Sequence, residues 1–125
     1  MNLLDECIES LDNCYILNED EKKQVENNFY SLVPLTNWGR IDWDKFDSKI
    51  EITQVEDILN LCNESNFYII WSVNDPILKS DINDILNKID DVTAVSFDTW
   101  LLSEDKKIII EFYHEGEVTL GKLKN

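Results

Sequence analysis

The chain has little of what enzyme active sites commonly need: one histidine, three glycines and eleven basic residues among 125 residues. Three glycines provide no Gly-rich loop for a phosphate, and the sequence contains neither a GxSxG nor an HExxH motif. Because His114 is the lone histidine, neither a two-histidine metal site nor a histidine-paired cysteine nucleophile has support. The chain is therefore predicted not to be an enzyme, and we expect no metal or cofactor.

The chain also lacks the signs of export and of membrane insertion. Cys7, Cys14 and Cys62 are odd in number and have no CxxC spacing, which favours reduced thiols over a disulfide framework or a zinc site. The longest apolar runs, such as 67–71, are too short to cross a bilayer. The first residues have neither the basic start nor the apolar core of a secretory signal. A cytoplasmic protein with no membrane partner is expected.

Charge is the most informative property that is present. Asp and Glu number 26 against eleven Lys and Arg, for a formal net charge of −15. A protein this acidic is not expected to bind nucleic acid, because such binding gains affinity when Lys and Arg release phosphate counterions. It can instead attract a basic protein, or the carboxylates can simply form a solvated surface. The 43% hydrophobic content excludes a disordered acidic tail, and the length predicts a single domain over residues 1–125.

Apolar spacing and capping residues predict helices at the start of the chain. The apolar stripe of a first helix consists of Leu3, Leu4, Cys7, Ile8, Leu11 and Cys14. Asn18, followed by three acidic residues, is predicted to cap a second helix that ends before Pro34. Residues 36–49 have no regular apolar pattern, and a loop with a short strand is predicted there. Thr53 and Glu56 have the spacing of a capping box at the start of a third helix.

In the rest of the chain, the pattern of apolar residues predicts one strand, one more helix and then three strands. Residues 67–73 form a continuous apolar run, typical of a central strand that is covered on both faces. A helix is predicted to start at Ser80 or Asp81. Two strands of a hairpin and a last short strand are predicted at 95–102, 107–114 and 117–120. The order predicts an α+β fold, with N-terminal helices packed on a small, mainly antiparallel sheet that ends in a β-meander.

The hairpin carries the candidate binding residues. Alternate residues of a strand share a face, and the inner face is predicted to consist of Val95, Phe97, Leu101, Ile108, Ile110 and Phe112. The second face interleaves aromatic rings with carboxylates, at Asp98, Trp100, Glu111 and Tyr113. Rings supply desolvated anchors and carboxylates pair with Lys or Arg, which suits a site for a basic protein. Alternatively, a helix half covers this face.

Two further groups of residues are candidates. Asp42 and Asp44, beside Trp38 and Trp43, form a second possible contact surface in the predicted loop. An enzymatic alternative uses Asp98, Glu111 and His114 as an acid–base or metal-binding group. If Asp98 and Glu111 are exposed contact residues, their replacement by Lys should weaken partner binding and leave stability nearly unchanged.

Two segments of the second half, 91–100 (DVTAVSFDTW) and 110–121 (IEFYHEGEVTLG), together with the strand at 67–72 (FYIIWS), resemble a known family. They are similar to small bacterial immunity proteins of contact-dependent growth inhibition and related polymorphic toxin systems. The resemblance implies a cytoplasmic protein that binds one cognate toxin domain and blocks it, over the active site or at a remote surface. Many such toxins are nucleases with basic clefts, which would account for the acidity. A small acidic adaptor or regulatory protein is the alternative.

Overall fold

The fold is seen in a computed structural model that describes residues 2–11, 13–37, 40–62, 65–72 and 74–123. Within these ranges the α-helices are α1 (Leu3–Ser10), α2 (Glu19–Leu32), α3 (Ile58–Leu61), α4 (Ile82–Asn87) and α5 (Ile89–Thr93). The strands are β1 (Tyr15–Ile16), β2 (Lys49–Glu51), β3 (Asn66–Ile70), β4 (Leu78–Asp81), β5 (Thr99–Ser103), β6 (Ile108–Phe112) and β7 (Val118–Lys122). Two short 3-10 helices span Trp43–Lys45 and Val55–Asp57.

The strands of the described residues form one seven-stranded sheet in the order β1-β4-β3-β5-β6-β7-β2. Every neighbouring pair is antiparallel, and β5, β6 and β7 are adjacent both in sequence and in space. The predicted α+β fold, with helices first and a terminal meander, is confirmed. Strands β1 and β4 were not predicted, because two and four residues are too few to show an alternating pattern.

Helices and loops cover both faces of the sheet. On one face, Ile69, Leu101 and Ile110 pack with residues of α1, α4 and α5 in a first core. On the other face, Ile70 and its neighbours Leu102 and Ile109 pack against α2 and the loop that follows it, in a second core. Adjacent residues of one strand thus belong to different cores, as the alternation of a pleated strand requires. The prediction that β3 is a central strand covered on both faces is confirmed.

Side-chain capping bonds mark the start of three helices, at Asn2 for α1, Asn18 for α2 and Asp81 for α4, but the start of the third helix differs from its predicted cap. Asn18 and Glu21 form a complete capping box on α2, with bonds of 2.9 and 3.0 Å. Helix α1 starts after the cap Asn2 but ends at Ser10, so that Cys14 lies beyond it and not on its apolar stripe. The predicted capping box of the third helix is wrong. Residue Gln54 precedes a 3-10 turn there and makes no side-chain capping bond.

All three cysteines are free thiols that are buried or half-buried. Burial, with smaller contributions from Cys14 and Asp91, raises the pKa of Cys7 from 9.0 to about 11. Burial and the nearby Asp105 carboxylate likewise raise the pKa of Cys62 to about 11, and burial raises the pKa of Cys14. Since only the thiolate is nucleophilic, these cysteines are packing groups with little reactivity at neutral pH.

Thiol reagents are therefore expected to modify the native protein slowly. A pKa raised by two units, from 9.0 to about 11, lowers the thiolate fraction at neutral pH about a hundredfold for Cys7 and Cys62. Reaction with a chromogenic disulfide should be slow in buffer and should speed up as pH rises toward 11. In denaturant, the same sample should release three equivalents at the rate of a free thiol. Fast modification of native Cys7 would contradict the packing of α1.

Candidate functional site

A groove of about 460 Å³ opens on the face of the sheet that carries the first core. Its floor comes from Phe112 and Val118, which are directly paired across β6 and β7. Helix α5 contributes Ile89 and Asp90 to the lining, and the 3-10 turn after Gln54 contributes Val55. Further lining residues come from the segment before β5 and from the β6–β7 turn, namely Ser96, Phe97, Tyr113, His114 and Gly116.

Phe97 is the most exposed of the hydrophobic residues that line this groove, with 83% of its surface accessible. The prediction that it faces inward on a strand is wrong. The chain leaves α5 at Thr93 and bends, and β5 starts only at Thr99, so strand alternation does not apply at this position. The five inner-face residues other than Phe97 do pack in or against the first core, as predicted. An exposed phenyl ring beside an apolar floor is an available anchor for a partner.

Asp98 fixes the histidine at the rim of the groove. Its Oδ1 accepts a hydrogen bond of 3.0 Å from the backbone N–H of His114 and lies 3.2 Å from His114 Nδ1. The imidazole in turn stands between two rings, with centroid distances of 4.2 Å to Tyr113 and 5.7 Å to Phe97. Two segments that are 16 residues apart are thereby tied together, and the rim holds a defined arrangement of aromatic rings.

Glu111 lies behind this rim and is a fully buried carboxylate, with 1% of its surface exposed. Its Oε1 accepts bonds from Arg40 Nη2 at 2.8 Å and Trp43 Nε1 at 3.1 Å. Its Oε2 accepts bonds of 3.1 Å each from the backbone N–H of Ile41 and from Trp100 Nε1. Trp100 is its direct cross-strand partner, whereas the other donors come from the loop after α2. One carboxylate therefore joins that loop to the sheet.

The charge of Glu111 is maintained by these donors. Burial raises the pKa of its carboxyl, but the bonds from Arg40, Trp43, Ile41 and Trp100 together lower it more, so the pKa lies below its ordinary value. Arg40 also stacks on Tyr113, with its guanidinium carbon 3.6 Å from the ring centroid. The arrangement connects the buried carboxylate to the aromatic rim of the groove, through Arg40 and Tyr113.

The structure brings together only part of the predicted binding face. Asp98 and Tyr113 lie together at the rim, while Trp100 packs against the second core with its indole N–H turned to Glu111. Glu111 itself is not on an exposed face. The prediction of nearly unchanged stability on Glu111→Lys assumed an exposed side chain. Because Glu111 is buried, this substitution would place an ammonium group beside Arg40 in the interior and destabilise the fold.

The second predicted surface is partly described. Asp42 is half-buried and lies 4.0 Å from Lys45 Nζ, and Asp44 is exposed on the 3-10 turn Trp43–Lys45. Trp43 turns its indole N–H inward to Glu111 and stacks on Phe46 at 4.7 Å. Trp38 lies outside the described residues. Arg40 and Phe97 were not predicted as site residues, because neither belongs to a motif and each acts through a contact with a residue distant in the sequence.

The enzymatic alternative gains no support from the geometry. Asp98 and His114 are in contact, but the Glu111 carboxylate is saturated by four donors on the other side of the sheet. Across the described residues, no group of three or more His, Cys, Asp or Glu is placed to hold a metal ion. A search of the same residues for a helix long and apolar enough to cross a membrane finds none.

Comparison with known families gives the class of the protein. The model of a family described as "CdiI immunity protein EcoliA0-like" matches residues 1–121. The chain belongs to this family of CdiI immunity proteins, and it is a toxin-neutralising immunity protein. The resemblance found in the second half is thereby confirmed, and it extends over the first half. A comparison with curated proteins finds no match.

Proposed function

We propose that this immunity protein acts in the cytoplasm, without catalysis, by covering a basic toxin domain sterically and electrostatically. The toxin is a nuclease in this proposal, so that the carboxylates occupy the positions of substrate phosphates. The observation that carries the proposal is the net charge of −15. A basic partner is attracted to such a surface over distances of about a Debye length, roughly 8 Å at physiological salt.

The placement of the carboxylates supports this mechanism. Glu6, Glu56, Asp90 and Glu115 are all exposed, and they come from both helices and turns. Exposed charges contribute little to the stability of an isolated fold, and a large excess of one sign opposes folding through repulsion. Binding a domain of opposite charge relieves that repulsion and uses the same side chains for steering.

The contact surface of the proposal is the rim around Asp98 and Tyr113, together with the half-buried Trp100, which lies apart from them against the second core. Glu111 supports this surface from beneath and makes no direct contact. Asp42 and Asp44 form a second surface on the loop after α2. Aromatic rings held by buried hydrogen bonds lose little conformational entropy on binding, which favours them as anchors.

Charge steering predicts a strong dependence of the association rate on salt. The measurement uses the cognate toxin domain, with its own active site disabled. Between about 0.01 M and 0.15 M salt, the association rate constant should fall about tenfold or more, while dissociation changes less.

Nuclease activity of the intact toxin domain, assayed on DNA and RNA, should be abolished by one equivalent of this chain.

Two results would count against the proposal. Association rates that stay flat over this salt range would show that charge does not steer the encounter, even if binding is tight. A toxin domain that binds this chain and still cleaves its substrate at full rate would show that the active site is not covered.

A further inference from the structure

We propose that the groove beside Phe97 receives a Lys or Arg side chain of the toxin domain, held between the Phe97 ring and the Asp90 carboxylate. The inference rests on the proposed function and deepens it, because it assigns one contact of the basic partner to a defined site. This site differs from the second hairpin face, which the structure places largely under α2 and the following loop.

The groove has the shape and lining that such a side chain needs. Its volume of about 460 Å³ exceeds that of the small apolar pocket beside α2, which measures about 140 Å³. Floor and walls are apolar at Val55, Ile89, Phe112 and Val118, which suits the aliphatic stem of Lys or Arg. The described residues that line it include neither Lys nor Arg.

Phe97 provides the aromatic part of the site. Of the large hydrophobic side chains described, it has the highest accessibility, so a partner that covers it removes apolar surface from water. The ring is in edge contact with His114, whose backbone and imidazole are both held by Asp98. A ring held in this way can present its face to a cation, a contact that gains strength when water is excluded.

Asp90 provides the charge of the site. It is exposed in the first turn of α5 and lines the groove together with Phe97. A carboxylate and an aromatic face on one apolar groove match a guanidinium or ammonium on an aliphatic stem better than a neutral or acidic group. The net charge of −15 further excludes an acidic occupant, which would be repelled before contact.

The test measures the affinity of the same inactivated toxin domain for four variants by calorimetry. Phe97→Ala and Asp90→Lys alter the groove. Tyr30→Ala and Asp20→Lys are matched controls on α2, which covers the opposite face of the sheet. Tyr30 is an aromatic residue with 55% exposure, and Asp20, like Asp90, is an exposed aspartate in the first turn of a helix.

Each groove variant should bind about tenfold or more weakly than the unaltered chain, since a central aromatic anchor and a reversed charge both have effects of this size. The control variants should stay within about threefold. All four should keep the thermal midpoint near that of the unaltered chain, because the replaced side chains are exposed. The affinity of Asp90→Asn, measured as a fifth variant, should fall between those of the unaltered chain and Asp90→Lys.

The outcomes separate this inference from the proposed function. If the unaltered chain does not bind the toxin domain, the proposed function fails, and the groove assignment fails with it. If the unaltered chain binds and both groove variants bind equally well, only the groove assignment is overturned. If Phe97→Ala weakens binding and Asp90→Lys has no effect, the occupant of the groove is not a Lys or Arg side chain. That result would indicate an apolar side chain of the toxin in its place.

Discussion

Glu111→Gln is expected to lower the free energy of unfolding by about 3 kcal/mol, the low end of the cost of breaking a buried ion pair. Each carboxylate oxygen of Glu111 accepts two hydrogen bonds, so the amide NH₂ of Gln would face two donors in either orientation. The low end applies because the Arg40 side chain is 31% exposed and recovers some hydration. Urea titration should show the loss as a lower midpoint with an unchanged slope.

Glu117→Gln is the matched control for this substitution. The Glu117 carboxylate lies 3.7 Å from the same Arg40 Nη2, but 66% of the side chain is exposed. Solvent screens such a pair, and its loss should change stability by less than about 1 kcal/mol. If Glu111→Gln were as mild as Glu117→Gln, the buried carboxylate would not be what joins the loop after α2 to the sheet.

The contribution of Glu111 should also depend on pH with a definite sign. Because its pKa in the folded protein lies below the ordinary value, its stabilisation is fully present above the unfolded pKa, near 4.5. It is lost as pH falls through the lower folded pKa. The difference in stability between the unaltered chain and Glu111→Gln should therefore stay constant from pH 7 down to about pH 5, and should shrink below that.

Gly121→Ala is expected to lower stability by about 1–3 kcal/mol, the usual cost of forcing an added methyl group into packed surroundings. A Cβ at this position would lie 2.6 Å from Trp43 Cζ3 and 2.7 Å from Phe46 Cδ2. Trp43 cannot move away freely, because its indole N–H is bonded to Glu111 at 3.1 Å. Thermal unfolding measures the loss, and near-ultraviolet circular dichroism should report the displaced indole.

Lys122→Ala is the control on the same strand, since Lys122 is exposed and follows Gly121 directly. It should stay within about 0.5 kcal/mol of the unaltered chain. A Gly121→Ala protein with unchanged stability and an unchanged aromatic spectrum would contradict the close approach of the loop after α2 to β7.

Much of the fold follows from short-range patterns. The capping box at Asn18 and the polar turn between β5 and β6 each depend on residues within a few positions. The two faces of the hairpin follow from alternation, which separates Leu101 and Ile110 from Leu102 and Ile109 in the two cores. Local geometry decides such features, so that the sequence predicts them without knowledge of the remaining chain.

The candidate site follows such patterns only in part. Asp98 and Tyr113 were predicted to share one face of the hairpin, and Asp98 does bind the backbone N–H of His114, which follows Tyr113 directly. The exposure of Phe97 was not predicted, because it depends on where α5 ends and β5 begins. Element boundaries are the least reliable part of a pattern-based prediction, and a shift of one residue along a strand reverses the face to which a ring points.

The sequence by itself determined the acidity of this protein, its α+β order and the composition that indicates a binding protein. Only the tertiary structure decided that Glu111 is buried. Its donors Arg40, Ile41 and Trp43 lie 71, 70 and 68 residues away, on a loop without a regular pattern. On a strand face a carboxylate is ordinarily solvated, and it can be buried only where enough donors replace its water. Whether such donors lie next to a given carboxylate depends on long-range packing, which cannot be predicted from the alternation of side chains along a strand.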